Sequence, residues 1–315
     1  MSFFTSPDFT LSAKLLEIVY IIMGLLCIYT GVRNLKDKGN DSPVGTCVFW
    51  TALGIVMAFG RWIPTMIDGA LILVMAVPAI LHKVKPGSEK TPTTEESKLA
   101  FDKIGMKVFM PALSIGVFAL IFAIFTDLGA LVGCSVGVFV AIILLMIFDS
   151  QKNKPGVFLG DCSRMLSLVG PLSMLPMLLA SLGAIFTAAG VGDAISSIVG
   201  KVIPAGNVNV GIVVYAIGMM LFTMIMGNAF AAITVMTVGI GGPFVLAYGA
   251  NPVVIGMLAL TCGYCGTLCT PMAANFNIVP VAMLEMKDNN GVIKQQVPIA
   301  LFMIVYQIIL MMVLK

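Results

Sequence analysis

The chain has 315 residues, of which 59% are hydrophobic and only 10% are charged, and its mean hydropathy is +1.05. A soluble fold cannot bury so much apolar surface, so the composition excludes a soluble protein and predicts an integral membrane protein. The net charge of +3 is small and the basic residues lie in loops, which gives nucleic-acid binding no support.

Apolar segments long enough to cross a bilayer recur along the whole chain. A bilayer core about 30 Å thick needs about 20 residues of helix, and an open sheet cannot satisfy its edges in lipid. The sequence therefore predicts an all-α, polytopic transmembrane helix bundle of about ten spans. The predicted spans in the first two thirds of the chain cover residues 11–32, 44–60, 63–81, 108–125, 128–148 and 165–187. The later apolar stretches, which Gly, Pro and Asn interrupt, lie near 208–226, 229–248, 252–265, 272–286 and 296–314.

Basic residues mark alternate loops between the first six spans. The positive-inside rule then predicts a multi-pass protein of the cytoplasmic membrane, with the N-terminus outside and the basic loops in the cytoplasm. The long hydrophilic stretch at 82–107 is interpreted as a flexible cytoplasmic linker within one membrane domain that covers residues 1–315. The loop residues behind this prediction are Arg33, Lys36, Lys38, Lys83, Lys85, Lys90, Lys98, Lys103, Lys107, Lys152, Lys154 and Arg164.

Two acidic residues, Glu17 and Asp68, lie deep within predicted spans. A charge at the bilayer centre costs about 3 kcal/mol on insertion scales, so such residues are candidates for function. Asp68 follows Arg61 by seven residues, which is two helical turns and one face. Each acid is a candidate for coupling transport to sodium ions or protons, and each has the alternative of pairing with Arg61 near the interface.

The first polar interruption of an apolar segment is Gly227-Asn228, followed by Thr234 within 229–248. In lipid every freed backbone group needs a partner, so this pair indicates a helix that unwinds inside the protein. The N-terminal end of a half-helix carries unpaired N–H groups and partial positive charge, which suit a carboxylate. The alternative is a glycine packing contact with an interhelical hydrogen bond from Asn228.

The second interruption lies at 267–277, in a stretch that has no charge from Thr261 to Val281. A continuous helix would lose a hydrogen bond at the proline of this stretch, and the residue before it favours an extended backbone. An ordinary turn outside the membrane is the alternative, although such turns usually carry charge. Two uncharged breaks are typical of discontinuous transporter helices that form a substrate site. The residues assigned to the second break are Thr267, Thr270, Pro271, Asn275 and Asn277.

Catalytic chemistry has little support in the sequence. The single histidine, His82, lies on a basic loop, and Cys262 and Cys265 form a lone C-x-x-C without a second pair. The chain also lacks a Walker-type loop. We therefore expect no catalytic residue, no metal site and no cofactor.

The runs from Gly227 to Thr237 and from Gly263 to Pro280 resemble the larger membrane subunit of the two-component bacterial 5-oxoproline transporters, an unknown-function domain family. The resemblance covers the whole chain and is most specific in the second run. It implies a permease for 5-oxoproline that works with a smaller membrane subunit. The paired breaks also resemble the hairpin tips of the ion transporter superfamily, whose substrate and sodium sites lie at such tips.

The leading hypothesis is secondary transport of a small carboxylate by alternating access, in the lipid bilayer and with a second membrane subunit. Half-helix ends at Gly227-Asn228 and Thr270-Pro271 would bind the anion, while Thr267, Asn275 and Asn277 contribute side chains. The alternatives are a scaffold subunit that stabilises a transporting partner and a cation-coupled carrier of the antiporter type.

Overall fold

A computed structural model of the protein describes residues 2–88, 92–150, 153–201, 206–284 and 286–315. These residues form helices joined by short turns and include no strand, which confirms the predicted all-α class. Lys90 and Lys152, two residues of the predicted basic loops, lie outside the described ranges.

The chain divides into two compact units, Met1–Gly170 and Pro171–Lys315. The boundary falls at 170/171 and not at the predicted linker. The helices of the first unit are α1 (Ser2–Thr5), α2 (Leu11–Lys36), α3 (Pro43–Phe59), α4 (Thr65–Ile80), α5 (Thr94–Ile104), α6 (Phe109–Phe125), α7 (Ala130–Phe148) and α8 (Pro155–Val169).

Close packing of α2 against α3 organises the first unit. A Cβ atom added at Gly24 would lie 2.5 Å from the Gly54 carbonyl oxygen, and one added at Gly54 would lie 2.5 Å from the Gly24 carbonyl oxygen. Small residues allow this approach, which is how membrane helices commonly associate when lipid removes the hydrophobic driving force between them.

Part of the predicted flexible linker at 82–107 is helical, because α5 occupies residues 94–104. The Thr93 hydroxyl accepts a hydrogen bond from the Glu96 N–H, and the Glu96 carboxylate accepts one from the Thr93 N–H at 2.9 Å. This reciprocal cap stabilises the start of a hydrophilic helix. The structure therefore differs from the prediction over these residues, while residues 89–91 lie outside the described part of the chain.

The helices of the second unit are α9 (Leu175–Ala188), α10 (Val191–Val199), α11 (Val208–Met226), α12 (Ala229–Met236), α13 (Gly242–Phe244), α14 (Pro252–Leu268), α15 (Ala274–Met283) and α16 (Gly291–Leu314). A π-helical turn, Thr237–Gly241, connects α12 to α13. The core of this unit lies between α11, α14 and α16, where Tyr215, Met219, Ile255 and Ile304 are buried.

Near their C-terminal ends α11 and α14 pack without intervening side chains. A Cβ atom added at Gly266 would collide with the Met220 carbonyl oxygen, and one added at Gly263 would lie 3.2 Å from Thr223 Oγ1. Glycine is thus required on α14 where it meets α11. The chain segments that follow these two helices consequently start from neighbouring positions.

Seven helical segments of the described chain are long and apolar enough to cross a membrane, judged by length and composition. Four shorter apolar helices, α3, α4, α14 and α15, accompany them. This arrangement confirms a polytopic helical membrane bundle. The seven segments are Leu11–Lys36, Glu95–Phe125, Ala130–Phe148, Pro155–Ala188, Val208–Met226, Ala229–Tyr248 and Gly291–Leu314.

Candidate functional site

The first predicted break is present between α11 and α12. Gly227 adopts a left-handed backbone with φ of 69°, and its N–H donates to the Thr223 carbonyl at 2.7 Å, which ends α11. Asn228 is extended, and its Oδ1 accepts hydrogen bonds from the N–H groups of Phe230 and Ala231 at 2.9 and 3.4 Å. An amide side chain therefore starts the second half-helix.

The second predicted break separates α14 from α15 and is held by one buried amide. Asn277, only 1% exposed, donates from Nδ2 to the carbonyl oxygens of Thr267 at 2.7 Å and Thr270 at 2.6 Å. The Thr267 carbonyl lies in the last turn of α14 and the Thr270 carbonyl just beyond it, where helical partners run out. The Asn277 side chain replaces the hydrogen bonds that a continuous helix would have made there.

The two breaks touch each other. The Thr270 hydroxyl donates to the Met224 carbonyl at 2.9 Å, in the last turn of α11. A Cβ atom added at Gly227 would lie 2.5 Å from the Met272 carbonyl oxygen. Glycine at 227 thus serves both the left-handed turn and the close approach of the second break.

Both breaks line a single cavity of about 560 Å³ in the second unit. The side chains of this lining are polar and uncharged or apolar, with no charged residue among those described. We call it the break cavity. It is lined by Leu179, Gly227, Asn228, Ala229, Phe230, Tyr264, Thr267, Leu268, Ala274, Asn275 and Phe276.

The two half-helices present different N-terminal ends to the break cavity. The first turn of α12 is capped by Asn228, whereas no side chain caps α15, which begins after Ala273. Ala274 and Asn275, the first two residues of α15, line the cavity. The N-terminal end of α15 therefore offers amide donors and partial positive charge to a bound anion.

The eight residues that the sequence assigned to the substrate site separate into three groups. Gly227, Asn228, Thr267 and Asn275 line the break cavity. Thr270, Pro271 and Asn277 lie in the second break without lining the cavity. Thr234 is exposed on the second turn of α12 and donates to the Ala231 carbonyl at 2.8 Å.

The two acidic candidates for ion coupling both lie in the first unit. Glu17 is 5% exposed, and its Oε2 accepts a hydrogen bond from Arg61 Nε at 2.7 Å. The guanidinium carbon of Arg61 also lies 4.1 Å from the centre of the Phe3 ring. Asp68 lies in the first turn of α4, and its buried Oδ1 has no hydrogen-bond partner among the described residues.

Sequence reasoning missed several residues of the site. Phe230 and Tyr264 meet edge to face across the cavity lining, with ring centres 6.1 Å apart. Thr223 Oγ1 is a buried oxygen atom without a hydrogen-bond partner in the described chain. No local sequence pattern marks these residues, because they join the site only through contacts between helices that are distant in the sequence. Only the position of Thr223 one turn before Gly227 links it to a break.

Comparison with known proteins gives one match. The sequence model of a protein family described as "Protein of unknown function (DUF979)" matches residues 17–315. Searches of the curated proteins and of the solved structures find no significant match.

Proposed function

The chain belongs to the DUF979 family of unknown function and has membrane-spanning helices, and we propose that it is a permease subunit that carries a small carboxylate across the membrane. The observation that supports this proposal is the break cavity, where two interrupted helices meet. Backbone that is not helical is tolerated at membrane depth only where it is buried or lines a cavity, and transporters use such breaks to bind solutes.

The partial positive charge at the N-terminal end of α15 favours an anion over a cation in the break cavity. The uncapped end of α15 supplies amide donors without the desolvation cost of a buried arginine. Asn228 Oδ1 already caps α12, which leaves its Nδ2 as the group that donates to a solute. Leu179, Phe230 and Phe276 add apolar walls.

The substrate that fits this proposal is 5-oxoproline, which the sequence resemblance implies. It combines one carboxylate with a small cyclic amide, so amide donors and acceptors beside apolar walls match its groups. The proposal also includes the smaller membrane subunit that the resemblance implies. Thr223 Oγ1 and Asn277 Oδ1 are neutral oxygen ligands of the kind that a coupling sodium ion accepts, and they lie beside the breaks.

Uptake of labelled 5-oxoproline into vesicles that contain both subunits tests the proposal. Asn275→Leu removes a polar side chain from the second position of α15 and should abolish uptake. Asn209→Leu is the matched control, because Asn209 is also exposed and second in its helix, α11, but lies outside the cavity lining. Uptake that is equal in both variants, with solute binding confined to the partner, would show that the chain is a scaffold.

A further inference from the structure

A second cavity, of about 530 Å³, lies in the unit Met1–Gly170 and has a strongly basic lining. It is bounded by the C-terminal end of α2, the segment 86–88 and α8. Four cationic side chains, Arg33, Lys36, Lys38 and Arg164, and one carboxylate, Asp37, give the lining a net charge of +3. We call it the basic cavity.

Arg164 distinguishes this cavity from an ordinary basic loop. Its side chain is 14% exposed on α8, and it forms an ion pair of 3.5 Å with Asp161, whose side chain is 59% exposed. Asp161 does not line the cavity. A largely buried guanidinium with so weak a neutralising contact is costly, and a bound anion would offset that cost.

Arg33 approaches the same face of α8. A Cβ atom added at Gly160 would lie 3.1 Å from Arg33 Nη1, so a glycine on α8 provides the space that this guanidinium occupies. The two arginines therefore converge from facing helices. The positive-inside rule and the α2 helix dipole explain Arg33, Lys36 and Lys38 at the end of α2. Arg164 was predicted in a basic loop, but it lies within α8 (Pro155–Val169), where neither explanation applies.

The single carboxylate of the lining is already engaged. Asp37 accepts hydrogen bonds from the Ser88 N–H at 2.6 Å, the Ser88 hydroxyl at 2.7 Å and the Gly39 N–H at 2.9 Å. These bonds, the Ser88 N–H first, hold the pKa of Asp37 below its ordinary value. Asp37 thus fixes the 86–88 wall of the cavity in place, and its charge, which also interacts with Arg33, offsets one of the four cationic charges of the lining.

We propose that the basic cavity binds a phosphate group, carried by the headgroup of an anionic phospholipid or present as free phosphate. Guanidinium forks match phosphate oxygens, and basic pockets between membrane helices suit lipid headgroups. The volume exceeds what one phosphate ion fills, given about 30 Å³ for a water molecule, which favours the headgroup as the source.

Thermal unfolding of the purified full-length chain in neutral detergent tests this assignment. Three additions are compared: phosphatidylglycerol, diacylglycerol with the same acyl chains, and inorganic phosphate. We expect phosphatidylglycerol to raise the melting temperature and diacylglycerol to have no effect, with the shift reduced at high salt. A shift with inorganic phosphate alone would identify the free ion as the ligand. No shift with either phosphate source would overturn the proposal.

Substitutions in the lining test whether the rise in melting temperature comes from binding in the basic cavity. Arg164→Gln should weaken phosphatidylglycerol binding about tenfold, and Arg164→Lys should weaken it less, because charge is kept while the fork is lost. Lys98→Gln, an exposed residue of α5 outside the lining, removes the same charge and should have no effect. Lys38→Gln, in an exposed turn, serves if Arg164→Gln does not fold. Equal binding in the cavity variants and in Lys98→Gln would refute the site.

Discussion

At the residue scale, Asn228 combines a structural and a binding role that substitution can separate. Asn228→Asp keeps an oxygen that caps α12 but places a negative charge in the break cavity, whereas Asn228→Ala removes the cap. We expect the aspartate variant to keep its stability and lose anion uptake. The alanine variant should lose about 1 kcal/mol of stability as well. Thermal unfolding and solute uptake measure the two effects.

Asn251 provides the control for this pair of substitutions. It caps α14 with the same geometry, accepting from Val253 N at 3.0 Å and Val254 N at 3.4 Å, and it does not line the break cavity. Asn251→Asp should leave both stability and uptake unchanged. If Asn228→Asp transports as well as Asn251→Asp, the break cavity is not the path of the anion.

Asn277 illustrates a residue whose role is to hold the site instead of touching the solute. Only its NH₂ group can face the carbonyl oxygens of Thr267 and Thr270, because both are acceptors. Asn277→Leu leaves two buried carbonyls unsatisfied, so we expect a loss of about 2–5 kcal/mol of stability. Asn275→Leu, on an exposed side chain, should change stability by less than about 0.5 kcal/mol. Comparable melting temperatures for the two variants would contradict the role of Asn277.

At the element scale, Gly227 is the point where the two broken helices fit together. Gly227→Ala has two costs: the strain of a left-handed backbone, and a Cβ atom that would lie 2.5 Å from the Met272 carbonyl oxygen. Gly249 has a φ of 91° with nothing within 4 Å of an added Cβ, so Gly249→Ala tests the strain alone. We expect a cost of about 1–2 kcal/mol for Gly249→Ala and a clearly larger one for Gly227→Ala. Equal melting temperatures would show that the breaks do not depend on this contact.

The sequence predicts the existence of both breaks because glycine, asparagine and proline interrupt the helical hydrogen bonds locally. It does not predict which side chains face the cavity, since that depends on how α11 and α14 pack. Arg61 shows the same limit: its predicted pairing with Glu17 is present, but it lies in the turn between α3 and α4 and not on one helical face with Asp68. The helix at 94–104 is a different case, because Thr93 and Glu96 have the spacing of a capping box, a local signal that the prediction of a linker from hydrophilic composition does not use.

At the scale of the whole molecule, the first unit has two ends of different charge character. The Ser12 hydroxyl donates to the Leu128 carbonyl at 2.6 Å, which places the start of α2 beside the turn between α6 and α7. The other end of α2 forms the basic cavity with residues 86–88 of the loop after α4 and with residues of α8. Three loops that the sequence marked as basic therefore supply residues to one end of this unit, in agreement with a common side of the membrane.

This arrangement predicts the orientation of the protein in the membrane. Lys98→Cys, exposed on α5, should be protected from a membrane-impermeant maleimide in intact cells, whereas Asp8→Cys and Asp127→Cys, exposed at the opposite end, should react. The reason is that anionic lipid and the insertion machinery retain positive loops in the cytoplasm. Labelling of the unsubstituted chain measures the background from its native cysteines. After the cells are permeabilised, the maleimide should reach Lys98→Cys and label it. Labelling of Lys98→Cys from outside, with Asp8→Cys protected, would reverse the orientation and place the basic cavity on the external face.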